Sequence, residues 1–403
     1  MESLKINKIN KPVSGNIQIT GSKSETNRLL ILQQFYKNLQ IENISNSDDS
    51  VLMQKALGST SNEINIGHAG TAMRFLTSYF AVKENSEMIL TGSHRMKDRP
   101  IKILVDALKS LGANIQYLEK EGFPPLKIIG KKLLHNFVEI DGNVSSQYIS
   151  SLLLIAPTLR RGLVLNFKGE VTSVPYIKMT LKLLDSVGIT HRWVDKTITV
   201  SPKRAIINKT IEVESDWSSA SYYYSLVALS PNSEITLSTY KNNSLQGDSI
   251  LATIYKRLGV ETIFEENKLI LKNTNTVISR GLNLNLKSAP DIAQTIAVTC
   301  FGLGVECNMK GLHTLKIKET DRLIALKNEI EKLGGEVEIT DESLHLKRSN
   351  IINENVCIAT YDDHRMAMAF APLATKVAIT IKDANVVSKS YPTFWDDFKK
   401  ATT

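Results

Sequence analysis

One segment of this sequence places four charged or titratable side chains directly before an apolar run. Tyr361 is followed by Asp362, Asp363, His364 and Arg365, and then by apolar residues 366–372. A helix that is apolar on every side has to be buried. We therefore expect the N-terminus of this helix to line a cavity, and we interpret the segment as part of a functional site.

Two segments between residues 67 and 100 have the residue types that contact anions. Gly67 and Gly70 stand just before a predicted helix, where glycine lets the backbone approach a ligand closely, although a structural turn would look the same. Residues 94–100 contain three strong cations, from Arg95 to Arg99. Arginine forks hold phosphates and carboxylates well. The alternative for this segment is a solvated charged loop.

Residues 316–322 alternate in charge on the way into a predicted helix. Glu319 and Arg322 lie three positions apart, so they share one helical face. Taken alone, this pattern would be interpreted as a surface ion pair.

Residues 21–28 resemble a phosphate cradle that follows a predicted strand at residues 15–20. A glycine turn, Lys23, the hydroxyl of Ser24 and Arg28 one turn later could surround an anion. The spacing of a P-loop is missing. The structural alternative is that Ser24 caps the helix while Lys23 and Arg28 are solvated.

Six predicted helices begin at clusters of small polar or charged residues, and from the third cluster onward they recur roughly every 70–75 residues. The clusters are at residues 22–24, 69–71, 145–147, 216–219, 290–291 and 362–365. Helix N-termini attract anions through unpaired N–H groups and the helix dipole. Several such ends directed at one point would bind a multiply charged small molecule.

A second element recurs between these clusters. Amphipathic helices end at Gly112, Gly188, Gly259 and Gly334, and alternating apolar residues typical of half-buried strands follow each glycine. Each unit therefore predicts the order strand, helix, strand, helix, strand, strand.

The composition favours a globular protein with two domains. The chain has 403 residues, 42% of them hydrophobic, and a net charge of +8 without a basic block. This distribution argues against nucleic-acid binding. We expect a cytoplasmic protein because no apolar run spans a bilayer and the first residues lack a secretory signal. The cysteines, without CxxC spacing, are expected to be reduced packing residues: Cys300, Cys307 and Cys357.

Taken together, these segments resemble the 5-enolpyruvylshikimate-3-phosphate (EPSP) synthase family, from Gly21 to Pro392. The resemblance is carried by AGTAMR, RMKDRP, DGNVSSQ, KETDR and DDHRMAMA, at residues 69–74, 95–100, 141–147, 318–322 and 362–369. It implies an α/β fold of two domains, each built from three copies of the unit above, with central helices that point their N-termini at the interdomain cleft. The domains would be residues 1–20 with 216–403, and residues 21–215.

The resemblance also implies a reaction and its ligands. The family transfers the enolpyruvyl group of phosphoenolpyruvate to the 5-hydroxyl of shikimate 3-phosphate, without metal or cofactor, and is expected to be monomeric. Residues matching the shikimate 3-phosphate site are Lys23, Ser24, Arg28, Ser145, Ser146, Gln147, Ser173, Tyr176, Asp291 and Lys318. Residues matching the phosphoenolpyruvate site are Lys23, Gly70, Arg95, Gln147, Arg322, Arg365 and Lys389.

The same resemblance assigns the proton transfers. Asp291 matches the proton acceptor and Glu319 the proton donor, so we expect Glu319 to be desolvated with a raised pKa. Lys23, Lys389 and His364 would stabilise phosphate charge or carry protons.

Two residues depart from the family pattern. His68 and Thr314 stand where the family often has asparagine. Each can still supply a hydrogen bond, so affinity would change while the chemistry survives. Because Gly70 and Thr71 are retained, we expect inhibition by glyphosate.

Three alternatives compete with this interpretation. UDP-N-acetylglucosamine enolpyruvyl transferases share the fold and the donor, but they generally use a cysteine in a loop that corresponds to residues 93–99, where this chain has none. A non-catalytic anion-binding relative would be expected to lose Asp291, Glu319 or Lys23, and all three are present. A DNA-clamp-like repeat protein would share the repetition and positive charge without needing a buried Asp-His-Arg segment.

Overall fold

Short apolar stretches bounded by turn residues form the strands of this protein. The structure, a computed structural model, describes residues 3–171, 174–276 and 281–403. The strands are β1 (Leu4–Ile6), β2 (Ser14–Ile17), β3 (Leu39–Glu42), β4 (Glu63–Asn65), β5 (Glu87–Thr91), β6 (Asn114–Tyr117), β7 (Leu126–Ile129), β8 (Phe137–Asp141), β9 (Leu163–Lys168), β10 (His191–Val194), β11 (Thr197–Val200), β12 (Lys209–Glu212), β13 (Glu234–Ser238), β14 (Val260–Glu265), β15 (Lys268–Asn273), β16 (Gly281–Asn285), β17 (Glu306–Lys310), β18 (Val337–Ile339), β19 (Ser343–Leu346), β20 (Val356–Ile358) and β21 (Ile379–Ile381).

Several helices begin where a side-chain oxygen accepts a hydrogen bond from the first turn. Asp216, Asp321 and Asp363 do so as N-caps. The helices are α1 (Lys23–Phe35), α2 (Asp48–Gly58), α3 (Gly70–Val82), α4 (His94–Lys97), α5 (Lys102–Ser110), α6 (Ser146–Ile155), α7 (Val174–Ser186), α8 (Trp217–Leu229), α9 (Leu251–Lys256), α10 (Ala293–Leu303), α11 (Arg322–Lys332), α12 (His364–Phe370) and α13 (Phe394–Thr402).

The chain divides into two compact units. The inserted unit is Gly21–Val213, and the discontinuous unit is Met1–Thr20 with Glu214–Thr403. The sequence predicted this boundary after residue 215, two residues later, but Ser215 Oγ donates to the carbonyl of Ile19 in the discontinuous unit.

Four sheets repeat one topology. Their strand orders are β4-β5-β7-β6 and β8-β9-β11-β10 in the inserted unit, and β2-β13-β15-β14 and β16-β17-β19-β18 in the discontinuous unit. The first two strands of each sheet are parallel, and the other pairings are antiparallel. In three of these sheets a helix connects the parallel strands, as a crossover of that kind requires. Between β2 and β13 the chain passes through the whole inserted unit before α8 leads into β13. These four copies have the predicted order of strand, helix, strand, helix, strand, strand.

Two copies are shorter than predicted. In the inserted unit, β12 pairs parallel with β3, the strand that follows α1. The next helix, α2, is followed directly by β4, so this copy has no closing pair of antiparallel strands. In the discontinuous unit, β20 and β21 are parallel, and β1 from the other end of the chain pairs antiparallel with β21. Both copies lie where the chain crosses between units or ends, so a continuous closing hairpin is missing.

The central helices are buried and carry the site residues at their N-termini. Every residue of α8 is buried, as are nine of the eleven residues of α10. The amphipathic helix α5 ends before Gly112, whose φ of 103° is the left-handed conformation that favours glycine. Over the ranges that the structure describes, no helix is both long and apolar enough to cross a bilayer.

Candidate functional site

Arg322 organises the polar residues of the discontinuous unit. It is the first residue of α11, and its side chain is 2% exposed. Its Nε donates to Asp363 Oδ2 at 2.6 Å, Nη1 to Asp291 Oδ1 at 2.9 Å and Nη2 to Glu319 Oε2 at 2.9 Å. Burial alone would lower the pKa of Arg322, but the three carboxylates outweigh it and raise that pKa. The guanidinium therefore fixes all three carboxylates in place.

Asp291 is surrounded by three cations. Its Oδ1 lies 2.9 Å from Arg322 Nη1 and 3.4 Å from Lys318 Nζ, and its Oδ2 lies 3.4 Å from Arg365 Nη2. The residue belongs to a short 3₁₀ turn, Pro290–Ile292, that leads directly into α10. Its side chain is 16% exposed, so the carboxylate is held in place while it keeps some access to solvent.

The segment before α12 combines backbone strain with a network of contacts. Tyr361 and Asp362 have φ of 54° and 55°, which is uncommon for residues with side chains. Asp363 then caps α12 by accepting from Arg365 N at 2.8 Å, and Lys389 Nζ donates to the carbonyl of Asp362 at 2.7 Å. His364 is buried, with Nδ1 3.9 Å from Asp363 Oδ1.

The two charged residues before α11 are more accessible than Arg322. The side chain of Glu319 is 36% exposed and that of Lys318 is 33% exposed. Glu319 therefore has a cationic partner on one side and solvent on the other. The expected desolvation of Glu319 is not found in this structure, and its raised pKa stays a prediction.

Two residues of this cluster were missed by sequence reasoning. Ser218, in the first turn of α8, donates to Asp248 Oδ2 and accepts from Arg365 Nη2 at 3.3 Å. Burial raises the pKa of Asp248 to about 7, and the charge of Asp291 adds to this effect. The cluster at residues 216–219 signalled a helix start, but no local pattern marks Asp248.

In the inserted unit, Arg28 connects three helices. Its Nε donates to Thr180 Oγ1 at 2.7 Å and its Nη2 to Ser150 Oγ at 2.9 Å, while backbone carbonyls of Ser24 and Tyr176 accept from Nη1 and Nη2. These partners are uncharged oxygens, and burial lowers the pKa of Arg28 to about 10. Lys23 and Ser24 lie half-buried in the first turn of the same helix.

The N-terminus of α3 is packed against two arginines. Arg74, which sequence reasoning had not assigned to the site, donates to the carbonyls of Gly70 and Pro100, each at 3.1 Å. A Cβ at Gly70 would lie only 2.5–2.9 Å from guanidinium atoms of Arg99. Arg95 is exposed on the short helix α4. A side chain at Gly70 would therefore force the guanidinium of Arg99, the far end of a flexible side chain, to move.

The start of α6 carries three further predicted residues. Ser145 caps the helix by accepting from the backbone N–H of Gln147 at 3.3 Å, and Ser146 is half-buried. Gln147 Nε2 donates to Thr71 Oγ1 at 3.4 Å, which places Gln147 beside the N-terminus of α3. Ser173 lies outside the described residues.

Comparison with known proteins decides the family. The model of the EPSP synthase (3-phosphoshikimate 1-carboxyvinyltransferase) family matches residues 34–398. A 3-phosphoshikimate 1-carboxyvinyltransferase of Bacteroides fragilis is 45% identical over 394 residues, covering 96% of this chain and 95% of that protein. One from Histophilus somni is 34% identical and covers 99% of both chains. The chain belongs to the EPSP synthase family.

Solved structures agree with this family in fold. EPSP synthase from Acinetobacter baumannii has a TM-score of 0.84 at 19% identity, covering 100% of this chain and 98% of that one. The enolpyruvyl transferase NikO from Streptomyces tendae has a TM-score of 0.73 at 12% identity, covering 99% and 97%. The two-domain α/β enolpyruvyl transferase fold expected from the sequence is confirmed.

The two departures from the EPSP synthase pattern have different surroundings. His68 is exposed, immediately before the start of α3. Thr314 lies in a 3₁₀ turn, His313–Ile317, and its Oγ1 is buried without a hydrogen-bond partner among the described residues. Thr314 can therefore accept a new partner without breaking an existing bond.

The predicted site residues fall into two groups, one in each unit. In the discontinuous unit, contacts join Asp291, Lys318, Glu319, Arg322 and Arg365, and the segment before α12 adds His364 and Lys389. In the inserted unit, Ser24, Arg28 and Tyr176 are in contact, and Gln147 lies beside the start of α3.

Proposed function

We propose that this protein transfers the enolpyruvyl group of phosphoenolpyruvate to the 5-hydroxyl of shikimate 3-phosphate, forming EPSP and inorganic phosphate. The observation that carries the proposal is Asp291, a carboxylate held among Arg322, Lys318 and Arg365 in a chain of the EPSP synthase family. The reaction belongs to the shikimate pathway, which supplies chorismate for the aromatic amino acids.

Asp291 acts as the base for the attacking hydroxyl. Its side chain is oriented by the surrounding cations and remains partly accessible, so it can reach a bound alcohol. Glu319 acts as the acid: one of its oxygens is held by Arg322 while the side chain stays more than a third exposed. Both carboxyl groups are held by the same arginine, which fixes their positions relative to one another.

The proposed steps balance as an addition followed by an elimination. Glu319 protonates the methylene carbon of phosphoenolpyruvate, the adjacent carbon becomes cationic, and the 5-hydroxyl oxygen adds to it while Asp291 takes the hydroxyl proton. A tetrahedral ketal phosphate results. Loss of a proton from the new methyl group and cleavage of the carbon–oxygen bond to phosphate then give the enol ether.

The two ligands carry two phosphates and two carboxylates, which need cations and hydrogen-bond donors in a site with little water. Shikimate 3-phosphate is assigned to Ser24, Arg28, Ser145, Ser146, Ser173, Tyr176, Lys318 and Asp291. Phosphoenolpyruvate is assigned to Gly70, Arg95, Arg322, Arg365 and Lys389. Lys23 and Gln147 contact both ligands. Lys23, Lys389 and His364 stabilise the departing phosphate or carry protons.

The proposal includes a monomeric cytoplasmic enzyme that needs neither metal nor cofactor. Substrate choice separates it from the UDP-N-acetylglucosamine enolpyruvyl transferases. Turnover of the nucleotide sugar without turnover of shikimate 3-phosphate would reverse the assignment.

Phosphate release from phosphoenolpyruvate tests the proposal. We expect release only when shikimate 3-phosphate is present, and a decrease of roughly 10²–10⁴-fold in Asp291→Ala because a positioned base contributes about that much. Asp341→Asn is the matched control, since Asp341 is an exposed carboxylate of the same unit, paired with Lys316. The proposal would be contradicted if phosphate were released equally without shikimate 3-phosphate, or if Asp291→Ala released phosphate at the wild-type rate.

A further inference from the structure

Glu329 is a buried carboxylate that the proposed reaction does not use. It lies on α11, its side chain has no exposed area, and Lys332 Nζ contacts its oxygens at 2.7 and 2.8 Å. Its other partners belong to a distant part of the chain. Oε2 accepts from Ala359 N at 3.1 Å, and Oε1 accepts from the hydroxyl of Tyr361 at 2.6 Å.

The segment that Glu329 holds leads directly to functional residues. Tyr361 and Asp362 are consecutive left-handed residues, and the carbonyl of Asp362 is the acceptor for Lys389. Asp363, next in the chain, caps α12 and positions the backbone of Arg365. Residues with side chains keep such backbone angles only where their surroundings over-determine them.

Helix α11 contacts this segment at two points. Arg322 binds Asp363 on one side of the strained pair, and Glu329 binds Ala359 and Tyr361 on the other. Glu329 lies seven positions after Arg322, which is about two helical turns, so both side chains leave the same face of the helix. One rigid helix therefore spans the strained residues.

We propose that Glu329 is a positioning residue for the donor half of the reaction. By holding Ala359 and Tyr361, it keeps the left-handed turn in place and thereby sets where Arg365 and Lys389 meet phosphoenolpyruvate. The kinetic consequence rests on the function proposed above. The structural part of the proposal, in which Glu329 clamps Ala359 and Tyr361, does not rest on that function, because it concerns contacts within the discontinuous unit alone.

Glu329→Gln tests the proposal with little change in shape. Glutamine has one acceptor oxygen where glutamate has two, so it cannot accept from Ala359 N and the Tyr361 hydroxyl at separate oxygens. We expect KM for phosphoenolpyruvate to rise about 10- to 100-fold, as for a small misplacement of positioning groups, while KM for shikimate 3-phosphate stays within about twofold. Tyr361→Phe, which removes only the hydroxyl, should give a smaller change in the same direction.

Glu331→Gln is the matched control, because it makes the same change at a more exposed carboxylate of the same helix, paired with Lys327, without touching residues 359–361. It should leave both KM values unchanged. Equal changes in both KM values in Glu329→Gln, or lower thermal stability with normal kinetics, would reduce Glu329 to a structural role.

Hydrogen exchange on the enzyme without substrates gives a readout that is independent of turnover. Amides of residues 359–366 should exchange faster in Glu329→Gln than in wild type, and at the wild-type rate in Glu331→Gln. Unchanged amide exchange of residues 359–366 in Glu329→Gln would show that Glu329 does not hold this segment in place. An inactive wild type that shows the faster exchange in the variant would instead overturn the proposed function and leave the clamp standing.

Discussion

Arg28 in the inserted unit and Arg322 in the discontinuous unit are both buried arginines near the N-termini of helices, but their charges are neutralised differently. Arg322 contacts three carboxylates, which raise its pKa. Arg28 donates to two hydroxyls and two backbone carbonyls, and burial lowers its pKa to about 10. Arg74, also in the inserted unit, follows Arg28: burial lowers its pKa, and Arg99 adds to the effect.

This contrast separates two tasks. A buried cation whose partners are neutral gains stabilisation when an anion binds beside it, so the inserted unit is suited to hold substrate phosphate and carboxylate groups. In the discontinuous unit, the cations are already used to orient Asp291 and Glu319. Arg322 therefore positions the two carboxyl groups that we propose to move protons, while Arg365 and Lys389 of the same unit stay assigned to phosphoenolpyruvate.

The largest expected effect is loss of Arg322. Arg322→Met would leave Asp363, Asp291 and Glu319 without their common partner, and breaking a buried ion pair on one side lowers the free energy of unfolding by about 3–5 kcal/mol. Chemical denaturation monitored by circular dichroism measures this. Arg257→Met, at an exposed arginine of the same unit, should cost less than about 1 kcal/mol. If both variants lowered the free energy of unfolding equally, the contacts of Arg322 with its three carboxylates would not distinguish it from an exposed arginine.

Arg28→Met should affect binding more than stability. We expect KM for shikimate 3-phosphate to rise roughly 10- to 100-fold, since a hydrogen bond to a charged group contributes about 1.5–3 kcal/mol. The free energy of unfolding should fall by less than in Arg322→Met, because the partners left behind are uncharged. Steady-state kinetics would show this, with Arg192→Met on the exposed face of β10 as the control. A normal KM in Arg28→Met would mean that this arginine only connects helices.

Gly70→Ala should weaken inhibition by glyphosate about tenfold, a change of about 1.4 kcal/mol. The added methyl group would meet the guanidinium of Arg99 at 2.5–2.9 Å and force that cation to move. Inhibition constants measured against phosphoenolpyruvate provide the test. Gly58→Ala is the control, since nothing lies within 4 Å of a Cβ there. An unchanged inhibition constant in Gly70→Ala would contradict the prediction that this glycine is needed for inhibition by glyphosate.

Asp248→Asn should change how stability depends on pH. The pKa of Asp248 is about 7 in the folded protein and about 3.9 in an unfolded chain. The folded state therefore binds the proton more tightly, and the stability this contributes is complete below pH 4 and is lost as pH rises through 7. Asparagine stays neutral, so the melting temperature of the variant should gain about 5–10 °C on wild type between pH 5 and pH 8.

The control for this measurement is Asp341→Asn. Its exposed carboxylate has a pKa lowered by a hydrogen bond from Lys316, so both pH values lie above its titration. The difference between that variant and wild type should be the same at pH 5 and pH 8. A constant difference for Asp248→Asn as well would show that Asp248 does not titrate in this range.

Local patterns predicted much of the fold. Helices that end at glycine, such as α5 before Gly112 and α11 before Gly334, are encoded within a few residues, because only glycine adopts the left-handed turn easily. The shortened copies could not be predicted this way. The pairing of β1 with β21 joins residues more than 370 positions apart, and no local signal specifies such a pairing.

In the candidate site too, some residues could be predicted from local sequence and others could not. Charged residues before α12 were visible because polar groups directly ahead of a buried helix are unusual. Asp248 and Glu329 could not be recognised in this way. Each accepts a hydrogen bond from a residue about 30 positions away, Ser218 and Tyr361 respectively. The exposure of Arg95 and the burial of Arg28 also depend on packing, which the residue types alone leave open.

The parallel pairing of β2 with β13 sets an order for synthesis of the protein. Strand β2 emerges from the ribosome early, but its partner follows only after the whole inserted unit. The inserted unit can form its internal contacts as one continuous stretch, whereas β1 and β2 have to wait, unpaired, for strands made later. Exposed strand edges are prone to pair with other chains. Both strands are short, three and four residues, which limits that risk during the wait.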